Sequence, residues 1–279
     1  MKTMKENRDD LLVKTAGKIR RNIIEMLVPK ESHHIGCSLS IVEILTSLYF
    51  KQMIIDLKKP NDSKRDIFIL SKGHAAAALY ATLAERGFFE KKILAQYDTE
   101  GGLLPEHVTR VVPGIELSTG SLGHGLPVGV GFALAARNDK KKNHVYVVVS
   151  DGELDEGSSW EAILFAGHHK LSNLTVIVDY NKLQGFGTTG EVLDLEPLSA
   201  KLKAFGWNVY DVDGHDFSDL NNVFEKIKNS QDCKPHFVIA NTIKGKGIAH
   251  FEGKFESHYH SIDDVTKSLL IDEFKKQKI

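Results

Sequence analysis

An acidic residue and an amide each follow an apolar segment of the sequence. Asp151 and Gly152 come shortly after the run HVYVVV at 144–149, and Asn181 follows the run LTVIV at 174–178. Near-continuous β-branched runs of this kind are typical of strands buried on both faces of a parallel sheet. The carboxyl ends of such strands meet at one edge, where open α/β folds bind ligands. We therefore expect Asp151 and Asn181 to lie side by side.

Carboxylate and amide oxygens at a sheet edge suit a magnesium ion held against a diphosphate. Mg²⁺ takes oxygen ligands, and in proteins it commonly binds carboxylates together with phosphate oxygens of the ligand. Gly152 would let the backbone approach such a ligand closely. The alternative is an ordinary βαβ unit in which Asp151 is solvated and Asn181 belongs to a turn. This pair of residues alone leaves both interpretations open.

The elements that would position these residues alternate between strands and helices. Strands are predicted at 66–70, 144–149, 174–178, 207–212 and 236–240, and helices at 11–27, 41–48, 75–87, 128–137, 160–168, 197–205, 218–228 and 263–276. Ser38 or Ser40 is expected to cap the second helix. The alternation predicts an α/β fold with a doubly wound, mostly parallel sheet and helices on both faces. No linker or repeat interrupts it, so we expect a single domain over residues 1–279.

Composition excludes several classes of function. A net charge of −1 gives no electrostatic reason to expect binding to nucleic acid. Charges occur throughout the first thirty residues, so neither a secretory signal nor a membrane span is expected. Two cysteines, Cys37 and Cys233, are too few for a disulfide framework and fit a reducing compartment. The expectation is a cytoplasmic protein with no membrane partner.

Three further segments combine glycine, histidine and turn residues: SHHIG at 32–36, SKGH at 71–74 and TGSLGHG at 119–125. The last belongs to a long aperiodic stretch, 101–125. Such a stretch could be a surface connection, but its length favours a functional loop where backbone approaches a ligand.

These three segments, followed by Asp-Gly and its distant Asn, resemble in type and order the amino-terminal, diphosphate-binding part of transketolase. The likeness extends from the first helix to His260. It implies thiamine diphosphate and Mg²⁺ as cofactors. The implied metal ligands are Asp151, Asn181 and the carbonyl of Leu183. The implied cofactor-binding residues are His74, Gly120, Leu122, Gly152, Glu156 and Asn181.

The resemblance also assigns roles to three histidines and a glutamate. His34, His107 and His258 match positions that line the donor channel and move protons at the substrate hydroxyls. Histidine suits that work because its unperturbed pKa lies near neutrality. Glu156 matches a glutamate that links two cofactor sites across a subunit interface, although a carboxylate at a helix start is also favoured by the macrodipole.

The activity implied by the resemblance is transfer of a two-carbon ketol unit from a ketose to an aldehyde. In long transketolases a second domain supplies the glutamate that activates the aminopyrimidine of the cofactor, and this sequence has no counterpart of that domain. The resemblance is therefore to the amino-terminal subunit of a split transketolase. The expected partner is a carboxy-terminal subunit, in a heterotetramer of two plus two chains. The isolated chain is expected to form an inactive homodimer through the face near Glu156 and the helix at 160–168.

Other interpretations share part of this pattern. The Asp-Gly and distant Asn also occur in α-type subunits of 2-oxo acid dehydrogenases and in deoxyxylulose phosphate synthases. A subunit that binds the cofactor without turnover is a further alternative. His33, Ile35 and His124 depart from the common transketolase pattern. Asp98 stands where transketolases commonly have an arginine that binds the acceptor phosphate. An aspartate there favours an acceptor that lacks a terminal phosphate or carries a larger group, such as a nucleotide-linked or modified sugar.

Overall fold

A single parallel sheet of five strands forms the centre of the molecule. The computed structural model describes residues 2–30, 33–60, 62–258 and 268. The strands are β1 (Ile67–Leu70), β2 (Val145–Ser150), β3 (Leu174–Tyr180), β4 (Asn208–Asp213) and β5 (His236–Asn241). Their order in the sheet is β1-β2-β3-β5-β4, and every neighbouring pair is parallel. The predicted strands and the predicted parallel sheet are confirmed.

Helices cover both faces of this sheet. They are α1 (Lys2–Leu27), α2 (Ile35–Leu39), α3 (Val42–Ser47), α4 (Ala76–Arg86), α5 (Gly125–Asn138), α6 (Gly157–His168), α7 (Thr189–Val192), α8 (Leu198–Ala204) and α9 (Phe217–Lys228). Helices α1 to α4 and α9 share one apolar core with Tyr146 and Val148 of β2. Helices α5, α6 and α8 share the other core with Val147 and Val149. Alternate residues of a strand therefore face opposite cores, which explains the continuous apolar runs.

The strand register brings three polar strand ends together. Ser150 pairs with Asp179, and Tyr180 pairs with Asn241. The residues that follow, Asp151, Asn181 and Thr242, consequently lie at one edge of the central strands. This placement confirms the expectation that the ends of β2 and β3 are neighbours.

The segment between α1 and β1 differs from expectation. Residues 35–39 form the short helix α2 rather than a loop, and α3 begins after Ile41 without a side-chain cap. The predicted cap by Ser38 or Ser40 is wrong, because the Ser40 hydroxyl instead donates to Asp179 Oδ2 at 2.7 Å. A buried carboxylate competes successfully for that hydroxyl. Of the closing helix predicted at 263–276, the structure describes only Ser268, which is helical. Ser32 and His260 lie outside the described residues.

Helix lengths and apolarity bear on membrane association. Within the described ranges, none of the helices combines the length and the apolar character needed to cross a bilayer.

Candidate active site

A cleft of about 450 Å³ opens at the carboxyl edge of the sheet. Eleven residues were assigned a catalytic, cofactor-binding or metal-binding role from the sequence, and all of them line this cleft: His34, His74, His107, Gly120, Leu122, Asp151, Gly152, Glu156, Asn181, Leu183 and His258. They come from separate segments of the chain. The structure therefore brings the whole set together, while the role of each residue remains a prediction.

Asp151 lies on the floor of the cleft, directly after β2. Its side chain is almost fully buried and accepts hydrogen bonds from the backbone N–H of Gly152 at 2.8 Å and of Lys182 at 2.6 Å. Burial, and then the nearby charge of Asp179, raise the pKa of Asp151 to about 7. A buried carboxylate of this kind needs a positive charge beside it to remain ionised.

Asn181 and Leu183 complete an oxygen-rich group beside Asp151. Asn181 Nδ2 donates to Asp179 Oδ2 at 3.1 Å, and Asn181 Oδ1 accepts from the Leu183 N–H at 3.1 Å. The Leu183 carbonyl accepts from Lys244 Nζ at 2.8 Å. A carboxylate, an amide oxygen and a backbone carbonyl form a donor set that fits Mg²⁺, and a cation at this position would favour the ionised form of Asp151.

Beneath the floor lies a buried ion pair between Lys72 and Asp179. Lys72 Nζ is 2.5 Å from Asp179 Oδ2, and the two side chains are 1% and 0% exposed. Asp179 also accepts from the hydroxyls of Ser40 and Thr242. Burial would raise the pKa of Asp179, but the charge and hydrogen bond of Lys72 hold it below its usual value. Asp179 is thereby fixed as an acceptor for Asn181.

A cluster of histidines forms the rim of the cleft. The His34 ring lies with its centroid 5.0 Å from that of His74, 5.3 Å from His258 and 6.1 Å from His107. His34 has φ 66°, a left-handed conformation, and its N–H donates to the His258 carbonyl at 3.0 Å. Burial lowers the pKa of His74 to about 4, so this imidazole is neutral near neutral pH.

Glycines allow two segments beside the cleft, 71–74 and 119–125, to approach one another closely. A Cβ on Gly73 would collide with the backbone of Thr119, and a Cβ on Gly125 would collide with Ser71. Glu153, fully buried, joins the same loops because it accepts from the Ser71 hydroxyl and from the Gly123 N–H. These contacts explain why glycine occurs in both segments that the sequence singled out.

Several cleft residues were missed by sequence reasoning. Lys72, Lys244 and Cys37 line the cleft, as does the segment 184–186. Lys244 Nζ is 2.7 Å from His258 Nδ1. Burial would raise the pKa of the Cys37 thiol, but Lys244, His74 and hydrogen bonding with His258 and His34 bring it well below its usual value. Lys72 belongs to the SKGH segment, and Lys244 begins a further glycine-rich segment, KGKG at 244–247. A lysine within such a segment was the available signal, whereas nothing local in the sequence marked Cys37.

The remaining singled-out residues lie at or beyond the edge of the cleft. Glu156 precedes α6 at its N-terminus. On α6, Leu164 and Phe165 are 53% and 41% exposed, on the helix expected to form a contact between chains. Asp98 is exposed and does not line the cleft, so the structure gives no support for an acceptor-facing position.

Comparison with known proteins identifies the family. The family model for transketolase, thiamine diphosphate binding domain, matches residues 13–271. The chain belongs to the transketolase family. This result confirms the family expected from the four sequence segments.

Individual relatives show which part of the family the chain resembles. It is 42% identical to the 6-deoxy-6-sulfo-D-fructose transketolase subunit of Clostridium sp. over 94% of this chain and 95% of that protein. It is 44% identical to an apulose-4-phosphate transketolase subunit of Actinobacillus succinogenes over 96% of this chain and 97% of that protein. The crystal structure of transketolase from Campylobacter jejuni matches with a TM-score of 0.87 at 30% identity, over 96% of this chain and 42% of that chain. The chain thus spans about two fifths of that enzyme and nearly all of the two subunits.

Proposed function

We propose that this chain is the amino-terminal subunit of a heteromeric transketolase and transfers a two-carbon ketol unit from a ketose donor to an aldehyde acceptor. The observation that carries this proposal is the convergence of all eleven sequence-selected residues on one cleft at the sheet edge. Near-complete coverage of relatives that are themselves named transketolase subunits supports it. The intact histidine rim favours an active subunit over a non-catalytic one.

The floor of the cleft would hold the diphosphate of thiamine diphosphate. Asp151, Asn181 and the Leu183 carbonyl would bind Mg²⁺, which neutralises the buried carboxylate as well as the diphosphate. The neutral His74, Gly152 and the loop containing Gly120 and Leu122 would contact the cofactor. When bound, thiamine diphosphate supplies an electron sink for breaking the carbon–carbon bond of the ketose.

The histidine rim would bind the sugar and move its protons. His34, His107 and His258 would exchange protons with the donor and acceptor hydroxyls, because imidazole can donate and accept near neutral pH. Lys244, placed 2.7 Å from His258 Nδ1, favours the tautomer in which that nitrogen accepts and Nε2 carries the proton.

A second kind of chain is part of the proposal. The carboxy-terminal, pyrimidine-binding half would come from this partner, and two copies of each would assemble into a heterotetramer. The exposed Leu164 and Phe165 on α6 and the position of Glu156 support a contact between two copies of this chain on that face. A cytoplasmic location is consistent with the buried free thiol of Cys37.

The substrate is proposed as an anionic ketose. One relative's name specifies a sulfonated sugar, and another's a phosphorylated sugar. The interpretation of Asp98 concerns the acceptor rather than the ketose donor. It stays a prediction, because Asp98 lies outside the cleft of this chain.

The test is reconstitution of the assembled enzyme. The chain is mixed with a candidate carboxy-terminal transketolase subunit from the same organism, with Mg²⁺ and thiamine diphosphate, and ketose donors are screened against aldehyde acceptors. The proposal predicts ketol transfer that the Asp151→Ala variant lacks. Cofactor binding without transfer across the whole screen would instead favour a non-catalytic subunit.

A further inference from the structure

Cys37 lies among the cleft histidines, and the proposed function gives it no role. It is buried at the end of the cleft where α2 begins, and its Sγ is 3.6 Å from His258 Nδ1. One ligand atom from each of His34, Cys37 and His258 lies within 4.8 Å of the other two. These three groups come from two segments more than two hundred positions apart, so the fold itself brings them together.

One separation within this group equals an edge of a tetrahedral metal site, and the other two are close enough to reach it. Zinc binds sulfur at about 2.3 Å and imidazole nitrogen at about 2.0–2.1 Å, which places sulfur and nitrogen about 3.6 Å apart at the tetrahedral angle. The Cys37–His258 separation of 3.6 Å has this value already. The other separations, none above 4.8 Å, would shorten by at most about 1.5 Å to reach tetrahedral edges.

We propose that His34, Cys37 and His258 bind Zn²⁺ or another thiophilic divalent ion, with a fourth position open to water. The thiol would lose its proton to the solvent as the metal–sulfur bond forms. Sulfur and imidazole ligands favour zinc, whereas the all-oxygen group around Asp151 favours Mg²⁺, so the two sites differ in the ion they select. A bound ion would occupy two rim histidines and inhibit ketol transfer; this consequence rests on the proposed function, while the binding itself does not.

Lys244 competes with the ion for His258. Its Nζ lies 2.7 Å from His258 Nδ1 and also donates to the Leu183 carbonyl at 2.8 Å. A metal at Nδ1 displaces the first contact and leaves the second available. Replacing Lys244 by methionine removes both the competitor and a like charge, so the Lys244→Met variant should bind the ion more tightly.

Cobalt(II) serves as the spectroscopic probe of this site. The full-length chain, reduced and held in excess Mg²⁺ to fill the oxygen site, is titrated with Co²⁺. A near-ultraviolet thiolate-to-cobalt absorption band should appear at one ion per chain and disappear when Zn²⁺ is added. Cys37→Ser should abolish the band, the control Cys233→Ser should keep it, and Lys244→Met should lower the dissociation constant by about tenfold or more.

Three outcomes would overturn the site: no band in the wild-type chain, a band that persists in Cys37→Ser, or a band lost in Cys233→Ser. If the Cys37→Ser variant does not fold, the wild-type chain provides a second test. Zn²⁺ should then protect Cys37, but not Cys233, from reaction with a disulfide reagent. Inhibition is measured separately on the assembled enzyme. A band without inhibition would leave the site standing and contradict only its placement on the catalytic rim.

Discussion

The floor and the rim of the cleft are positioned by different means. The floor residues Asp151 and Asn181 directly follow two paired strands, and their side chains are fixed by backbone N–H groups and by the buried Asp179. The rim residue His34 is the N-cap of α2, and His258 ends the short 3-10 helix Phe255–His258; a backbone hydrogen bond joins the two residues. Sheet register therefore defines the floor, whereas contacts between segments outside the sheet define the rim. We expect substitutions in the floor to affect folding and cofactor binding, and substitutions in the rim to affect turnover.

The largest expected effect comes from breaking the ion pair beneath the floor. Lys72→Met leaves Asp179 buried with no cation and should reduce the free energy of unfolding by about 3–5 kcal/mol. Urea denaturation measures this value. Lys92→Met is the control, because that side chain is 76% exposed and should change stability by no more than about 0.5 kcal/mol. Equal effects of the two substitutions would contradict a floor built on this pair.

The rim is tested by removing a histidine without disturbing the floor. His107→Asn should lower kcat of the assembled enzyme by about 10²–10⁴-fold, the range expected for loss of a proton-transferring group. The dissociation constant for thiamine diphosphate should stay within about threefold of wild type, because the metal ligands are unchanged. His124→Asn, at an exposed position outside the cleft lining, is the control. A His107 variant that loses cofactor affinity instead of turnover would remove the distinction between floor and rim.

Metal binding is tested at Asp151. Asp151→Ala should weaken Mg²⁺-dependent binding of thiamine diphosphate by at least about a hundredfold, since loss even of groups that only support a metal ligand costs 10–100-fold. Asn181→Ala should act in the same direction with a smaller effect. Titration calorimetry gives both values, with the exposed Asp139→Ala as control. Wild-type affinity in the Asp151 variant would exclude the metal assignment.

A smaller loss of stability is expected from a substitution at Glu43, whose partners hold the segment around Lys244 from outside the cleft. Burial would raise the pKa of Glu43, but Arg20 and His215 lower it. Arg20 and His215 also hold the Lys244 loop, through the Lys246 carbonyl and the Ile243 N–H. Glu43→Gln should therefore reduce the free energy of unfolding by about 1.5–3 kcal/mol near neutral pH.

The sign of the pH dependence follows from that lowered pKa. The ionised Glu43 stabilises the fold above its unfolded pKa of about 4.3, and this contribution is lost as the pH falls through the lower folded pKa. The stability difference between wild type and Glu43→Gln should shrink correspondingly in acid. Glu25→Gln, in an exposed pair with Arg21, is the control. A difference that does not depend on pH would show that the charge of Glu43 is not what anchors the loop.

The sequence predicted the floor better than the layer that supports it. Strands β2 and β3 were recognisable because strands buried on both faces need continuous apolar runs, and parallel pairing then brings Asp151 and Asn181 together. The pairing of Lys72 with Asp179 joins residues 107 positions apart and leaves no local period. A hydroxyl such as that of Ser40 looks like a helix cap in the sequence, and only the fold reveals the buried carboxylate that takes it.

The rim histidines were predicted from the types and order of sequence segments, because hydrophobic periodicity does not identify them. His34, His107 and His258 were selected by resemblance of their segments, and no spacing rule connects them. Lys244 and Cys37 were not predicted as site residues, because a lysine in a glycine-rich loop is usually solvated and a lone cysteine is usually a core residue. Their burial beside imidazoles follows from three-dimensional contacts between the 34–37 and 244–258 segments, including the Gly245 N–H donating to the Gly36 carbonyl at 3.0 Å.

The assignment of the cleft floor is tested most directly by whether this chain alone binds the diphosphate half of the cofactor. Titration calorimetry compares inorganic diphosphate, thiamine and thiamine diphosphate as ligands of the isolated chain, each with and without Mg²⁺. The assignment of the floor predicts Mg²⁺-dependent binding of diphosphate within about tenfold of the affinity for thiamine diphosphate. It predicts much weaker binding of thiamine, because the floor residues would interact with the charged oxygens that thiamine lacks. Thiamine binding as tightly as diphosphate, or diphosphate binding that does not need Mg²⁺, would contradict the assignment of the floor.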